Sequence, residues 1–390
     1  MNDRLMPRIA ATLVLTVTLS ACGIFGSKEE KELPPAELLP ITETLNVKQR
    51  WSAKVGADAS ELRLGLSPVS DGVRVYAASN DGQVHALSLD KGEKIWTIKL
   101  KLSLTAGPGF GDGRIVVASN DGDIVTLDAA TGAEVWRRRI DAEVLARPAI
   151  GGERVVVRTA DGRLIGLNGA TGEDEWLIEE EVPRLSLRGT SAPVIAANAV
   201  VCGFDNGRIM TVDLLDGTVR WDQMLRAPSG RTDLERLVDI DGAIAVVGRD
   251  LYVTGFQGIV AAIALESGQL LWNREVSSYH GPGVDWTQTY VATDDGDLVA
   301  LSRTTGVEQW RNTQLKRRQL SAPVTFGDAV VVGDLEGYLH WMDAQNGEFR
   351  ARRRVGKGRV SGALHAQGEL LLVQSESGVV AAFEVVGDDS

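Results

Sequence analysis

The alternation of apolar and polar residues returns at regular intervals along most of the chain. The stretch QVHALSLD, residues 83–90, shows the alternation that predicts a β-strand. Asn-Gly or Asp-Gly pairs separate such runs at 81–82, 121–122, 161–162, 206–207 and 295–296. These pairs are typical of two-residue hairpins, because the central residues of such turns adopt positive φ. The pattern therefore predicts an all-β protein built from hairpins.

A second signal is a turn glycine followed four positions later by tryptophan. It occurs at Gly92/Trp96, Gly132/Trp136, Gly172/Trp176, Gly217/Trp221, Gly268/Trp272 and Gly306/Trp310, and a further copy keeps Gly347 but has Ala351 at the tryptophan position. The spacing of roughly 40 to 50 residues is that of a propeller blade with four short antiparallel strands. We expect each tryptophan to pack between neighbouring blades, with its indole N–H bonded to the backbone.

The two ends of the repeat region complement each other. The last unit contains only three strand-like runs, whereas the stretch VKQRWSAKV around Trp51 is a fourth-strand sequence without a blade before it. We therefore predict an eight-bladed β-propeller over residues 46–390, in which the N-terminal strand completes the last blade. Such closure removes exposed strand edges.

The N-terminal residues have the features of an export signal. Arg4 and Arg8 precede an apolar run over residues 9–19, and the sequence Leu-Ser-Ala leads into Cys22. This arrangement predicts a signal peptide over residues 1–21 and resembles the bacterial lipobox, in which the cysteine is acylated. A plain secreted protein with an unrelated cysteine is the alternative. Residues 22–45 are predicted to be the lipidated cysteine and a flexible tether, and Cys202 to be a small buried apolar residue.

Charge and the residues of common catalytic sites narrow the function. The net charge of −12 argues against a nucleic-acid partner. The four histidines lack metal-ligand spacing, and no nucleophile elbow is present. We therefore expect no catalytic, cofactor-binding or metal-binding residues. The basic run at 350–359 has two interpretations: an outer strand whose charges blunt a sheet edge, or a patch for anionic headgroups or an acidic partner.

The repeat resembles that of the pyrroloquinoline-quinone-dependent dehydrogenases, best in VTLDAATGAEVW (125–136) and VHALSLDKGEKIW (84–96). With the lipobox, the chain length and the expected closure, the whole chain resembles the BamB family of outer-membrane lipoproteins. That resemblance implies a non-enzymatic scaffold at the periplasmic face of the outer membrane. It would dock on BamA, the barrel-forming component of the β-barrel assembly machinery, and aid the folding and insertion of outer-membrane proteins. Unfolded outer-membrane proteins are a further possible partner.

Two linkers are longer than a hairpin requires, at 183–193 and 231–242. Extra length between repeats usually maps to one binding face. The family resemblance implies that Leu185, Leu187 and Arg188 in the first linker, and Asp239 and Asp241 in the second, contact BamA. Exposed leucines would supply an apolar anchor, and an arginine can pair with a carboxylate of the partner or of the second linker. Alternatively, the Leu-Ser-Leu-Arg stretch is an ordinary inner strand.

An enzymatic alternative follows from the repeats themselves. The larger quinoprotein dehydrogenases hold their quinone with two adjacent cysteines, a calcium ion and a catalytic aspartate. This chain has no adjacent cysteines, so the hypothesis of a periplasmic quinoprotein-like dehydrogenase is less favoured. A propeller that binds peptidoglycan or another envelope component is a third.

Overall fold

The computed structural model describes residues 33–59, 62, 64–183, 185, 191–226, 232, 240, 242–256 and 258–387. These residues form 32 strands, arranged in eight four-stranded antiparallel sheets. In the part of the chain that is described, no helix is long and apolar enough to cross a membrane. The predicted all-β, eight-bladed propeller is confirmed.

The first four blades each contain four consecutive strands, from the inner to the outer position. Blade 1 has β2 (Val69–Ser70), β3 (Arg74–Ala78), β4 (Gln83–Ser88) and β5 (Lys94–Lys99). Blade 2 has β6 (Leu104–Gly111), β7 (Arg114–Ser119), β8 (Asp123–Asp128) and β9 (Glu134–Arg139). Blade 3 has β10 (Ala149–Gly151), β11 (Arg154–Arg158), β12 (Arg163–Asn168) and β13 (Asp174–Glu179). Blade 4 has β14 (Val194–Ala196), β15 (Ala199–Gly203), β16 (Arg208–Asp213) and β17 (Val219–Met224).

The next three blades follow the same order, and the eighth combines both ends of the repeat region. Blade 5 has β18 (Ala245–Val247), β19 (Asp250–Gly255), β20 (Ile259–Ala264) and β21 (Leu270–Arg274). Blade 6 has β22 (Gly283–Val284), β23 (Gln288–Ala292), β24 (Leu298–Ser302) and β25 (Glu308–Asn312). Blade 7 has β26 (Val324–Phe326), β27 (Ala329–Gly333), β28 (Tyr338–Asp343) and β29 (Phe349–Arg354). Blade 8 has β30 (His365–Gln367), β31 (Leu370–Gln374), β32 (Val379–Val385) and β1 (Val47–Lys54).

The middle strands of a blade are buried on both faces. In β7, all residues from Ile115 to Ser119 are buried. Neighbouring blades cover the two faces of such a strand, so apolar residues such as Ile115 and Val116 can follow one another. The outer strand β9 exposes most of its residues and buries Trp136 alone.

The repeated tryptophans join seven of the eight blades to the following blade, as predicted. The indole nitrogens donate to backbone oxygens of the following blade at 2.7–3.2 Å, from Trp51, Trp96, Trp136, Trp176, Trp221, Trp272 and Trp310. Each indole also lies against the turn glycine of the following blade; a Cβ on Gly172, which has a φ of 75°, would lie 2.7 Å from Trp136. The glycine thus permits both the turn and the close approach.

The ring closes through the N-terminal strand, also as predicted. Strand β1 pairs antiparallel with β32, with Trp51 opposite Ala382. In the other blades a turn connects the third strand to the outer strand. In blade 8 these two strands come from opposite ends of the repeat region, and Val386 N donates to Asn46 O at 2.9 Å where the turn would be. On blade 7, Ala351 stands at the tryptophan position, opposite the fully buried Trp341 of β28.

Candidate partner-binding surface

All interblade linkers reach the same face of the ring, which we call the linker face. In each blade the outer strand ends where the inner strand of the next blade begins, and the turn between the second and third strands lies at the same end. Backbone bonds fix this arrangement, for example from Leu225 N to Gly207 O at 3.0 Å and from Ile140 N to Gly122 O at 3.0 Å. The described ends of the two long linkers therefore lie on the same face.

Among the five predicted contact residues, Leu185 is described and is 44% exposed. Leu187, Arg188, Asp239 and Asp241 lie outside the described residues. Leu185 is not part of a strand, and its exposure leaves it accessible to a partner. The pairing of Arg188 with an aspartate stays a prediction.

The two long linkers are joined where they enter their blades. Ser191 is buried, and its Oγ donates to the backbone oxygen of Gly242 at 3.2 Å. Gly242 is tightly packed, since a Cβ there would lie 2.5 Å from Thr254 Oγ1 and 2.9 Å from Gly281 N. Sequence reasoning missed this contact, because no local pattern links residues 51 positions apart.

Ile240 anchors the second linker between blades 4 and 5. Its side chain is buried in the apolar cluster that contains Val201 and Leu251, and its N–H donates to Phe204 O at 3.4 Å. In the sequence, Asp239 and Asp241 flank this buried residue. Ile240 thus anchors the second linker to the blade at this point.

A buried ion pair joins blades 3 and 4, the blades that the first long linker connects. Arg158 Nη2 donates to Asp205 Oδ1 at 3.1 Å, and both side chains are almost fully buried. The Arg158 guanidinium also lies 4.7 Å from the centre of the Phe204 ring and donates to Thr159 O. Burial raises the pKa of Asp205, an effect that Arg158 opposes.

Burial also raises the pKa of Cys202 to about 12, which keeps this buried thiol in its unreactive form, as expected.

An exposed aromatic pair extends the linker face toward blades 5 and 6. The rings of Phe256 and Tyr279 stack with centroids 4.8 Å apart, and Tyr279 is 46% exposed. Phe256 lines a shallow cleft together with Arg226, Glu275, Ser277 and Asp294. Aromatic side chains flanked by charges are typical of protein interfaces. No repeated motif in the sequence marks these positions.

The side chains of His85 and His340 form hydrogen bonds with neighbouring side chains of the propeller. Thr97 Oγ1 lies 2.9 Å from His85 Nδ1, and His340 Nε2 lies 3.1 Å from Asp334 Oδ2. Burial lowers the pKa of His280 to about 4. Within the described residues, no group of three or more His, Cys, Asp or Glu side chains is arranged to hold a metal ion.

The fold and the linker face define a class of protein: an eight-bladed β-propeller whose interblade linkers form an extended surface on one face of the ring. A family model described as the outer membrane protein assembly factor BamB matches residues 80–312 and 294–388. The BamB of Pseudomonas aeruginosa PAO1 is 47% identical over 376 residues, which cover 96% of this chain and 98% of that protein. This chain belongs to the BamB family of outer membrane protein assembly factors.

Solved structures agree with this assignment. The crystal structure of BamB from Moraxella catarrhalis is 30% identical and superposes with a TM-score of 0.79, covering 87% of this chain and 99% of that one. The quinohemoprotein alcohol dehydrogenase of Comamonas testosteroni, at 15% identity, has a TM-score of 0.68 and covers 90% of this chain and 79% of that one. The likeness to this dehydrogenase is one of fold alone.

Proposed function

We propose that this chain is a non-enzymatic scaffold for the assembly of outer-membrane β-barrel proteins, and that it docks on BamA through the linker face. The observation that carries the proposal is the joining of the two long linkers by Ser191 and Gly242 in a chain whose relatives are named assembly factors. A contact that holds the described ends of both linkers together brings their attachment points to one place on the linker face, which lowers the ordering cost of binding.

Within this surface, Leu185 supplies an exposed apolar anchor, and Arg188 supplies a charge that can bind a carboxylate in two places at once. Asp239 and Asp241, beside the buried Ile240, either bind the partner or orient Arg188. The stacked Phe256 and Tyr279 widen the surface across the next blades.

Cys22 would hold the protein at the periplasmic face of the outer membrane after removal of residues 1–21, with the propeller beginning near residue 46. Outer strands such as β9 present a sheet edge to which an unfolded outer-membrane protein can add a strand. Strand addition suits such substrates because backbone pairing tolerates many sequences.

Co-purification with BamA from envelope membranes tests the docking site. We expect Arg188→Glu to reduce recovery of BamA at least tenfold, because a like-charge contact replaces an attractive one. The matched control is Arg137→Glu in the outer strand of blade 2, where Arg137 pairs with the neighbouring Glu134 at 2.9 Å. Equal recovery of BamA with both variants, at unchanged melting temperatures, would refute the assignment of the site.

A further inference from the structure

Residues 36–45, which we call the strap, run alongside the outer strand of blade 7 in the opposite direction to β29. At one end, Ala36 N donates to Lys316 O at 3.0 Å, and Arg318 Nη1 donates to Ala36 O at 2.8 Å. At the other end, Thr44 N and Leu45 N donate to Arg350 O at 2.9 and 3.2 Å. Backbone bonds therefore fix both ends of the strap.

Arginines of the basic run hold the middle of the strap. Arg352 Nη1 donates to Leu39 O at 2.9 Å. Arg353 binds both carboxylate oxygens of Glu43, at 2.6 and 3.1 Å, and its Nε donates to Val47 O at 2.8 Å. The hydrogen bond from Arg353 lowers the pKa of Glu43. A bidentate pair of this kind is stronger and more directional than a single ion contact.

Two leucines of the strap pack into the blades. Leu38 lies against the apolar cluster between blades 6 and 7, which contains Trp310 and Tyr290. Leu45 lies against the cluster between blades 7 and 8, where Ala351 is fully buried. Leu45 thus packs beside the position at which blade 7 lacks the repeated tryptophan.

Arg318 and Arg352, which bind the strap, are held in place by buried side chains of blade 7. Arg318 Nε donates to Asp334 at 2.8 Å, and His340 joins Asp334 at 3.1 Å. Arg352 Nε donates to His340 Nδ1 at 3.3 Å, so that His340 carries its proton on Nε2 and donates it to Asp334. Asp334 and His340 are fully buried. The receiving groups are therefore positioned by the blade.

The other two arginines of β29 also bind this chain. Arg350 pairs with Asp328 at 2.6 Å, and Arg354 Nε donates to Glu336 O at 3.1 Å. These contacts favour a structural use of the basic run over a patch for headgroups.

We propose that the basic run is a docking track for the strap, and that the strap fixes where the N-terminal segment leaves the propeller. Ala36 lies beside Lys316 in the linker between blades 6 and 7, so the exit is on the linker face. The chain between Cys22 and the first docked residue is then about 13 residues instead of about 23. Its greatest reach falls from roughly 80 Å to roughly 45 Å.

The consequence for orientation rests on the proposed lipidation of Cys22 and on docking through the linker face. A short connection that leaves from that face holds it toward the membrane to which the N-terminus is attached. The strap would thereby restrict which orientations of the propeller a membrane-bound partner meets.

Hydrogen exchange on the mature protein tests the strap directly. We expect the bonded amides of Ala36, Thr44 and Leu45 to be protected in the unaltered protein, and Glu43→Arg to speed the exchange of Thr44 and Leu45 at least tenfold, because it replaces the bidentate pair with repulsion from Arg353. The double variant Glu43→Arg/Arg353→Glu should recover part of the protection. Arg137→Ala, far from the strap in sequence and structure, is the control and should change nothing in this segment.

Two results would overturn the proposal: exchange of Ala36, Thr44 and Leu45 at the rate of a free peptide in the unaltered protein, or unchanged protection of Thr44 and Leu45 in Glu43→Arg. Recovery of purified BamA by Glu43→Arg is measured in parallel in detergent solution, where no membrane orients the propeller, and should stay within twofold of the unaltered protein, since the linker face is intact. Loss of strap protection with full BamA recovery would show that the strap is docked as proposed and that it is not part of the BamA docking site. A loss of BamA recovery in Glu43→Arg, with its linkers as protected as before, would refute the separate role of the strap.

Discussion

The contact between a tryptophan and the next blade's turn glycine predicts a measurable difference between two glycine substitutions. Gly172 has a φ of 75°, and an added Cβ would lie 2.7 Å from Trp136 Cε3. Gly113 has a φ of 69°, but an added Cβ there would meet no atom within 4 Å. Both alanine variants suffer the backbone strain, about 1–2 kcal/mol, whereas only Gly172→Ala crowds the interblade contact.

Crowding a packed site costs a further 1–3 kcal/mol, roughly, so Gly172→Ala should lower the free energy of unfolding by about 2–5 kcal/mol. Urea titrations followed by tryptophan fluorescence and circular dichroism measure both variants. In a Trp136→Ala background, the cost of Gly172→Ala should fall to that of Gly113→Ala, because the atom it meets has been removed. Equal costs for the two glycine variants in the unaltered background would refute the proposed role of the contact.

Two further predictions concern buried charge. Asp205→Ala should cost about 3–5 kcal/mol of unfolding free energy, because it leaves Arg158 buried and unpaired; the apolar double variant Arg158→Met/Asp205→Leu should cost clearly less in the same urea titration, and a larger cost would contradict this account. His280 has an ordinary pKa of 6.5 that burial lowers to about 4, so the unfolded chain takes up a proton before the folded one does. Stability should therefore fall as pH drops from 6.5 to about 4, by at most about 3 kcal/mol, and His280→Gln should flatten that part of the pH profile; an unchanged slope in the variant would show that another group titrates.

The propeller could be predicted from sequence because its signals are local and repeated. The turn glycines and tryptophans fix the blade count, and Trp51 without a preceding blade indicates the closure that the pairing of β1 with β32 confirms. Ala351 departs from the repeat in the sequence, and its pairing opposite the buried Trp341 could not be predicted from the repeat alone.

The features of the linker face and the strap could not be predicted in the same way. The bond between Ser191 and Gly242 and the stack of Phe256 on Tyr279 join residues whose neighbours carry no repeated pattern. The segment before residue 46 is rich in proline and charge, which is typical of a tether. Its docking depends on Arg352 and Arg353, about 310 positions away in the sequence.

Site-specific photo-crosslinking to BamA in envelope membranes tests the central claim most directly. A photoreactive residue at position 185, on the linker face, should crosslink to BamA, whereas one at the exposed Val135 on the outer strand of blade 2 should not. Crosslinks from position 135 with none from position 185 would contradict docking through the linker face.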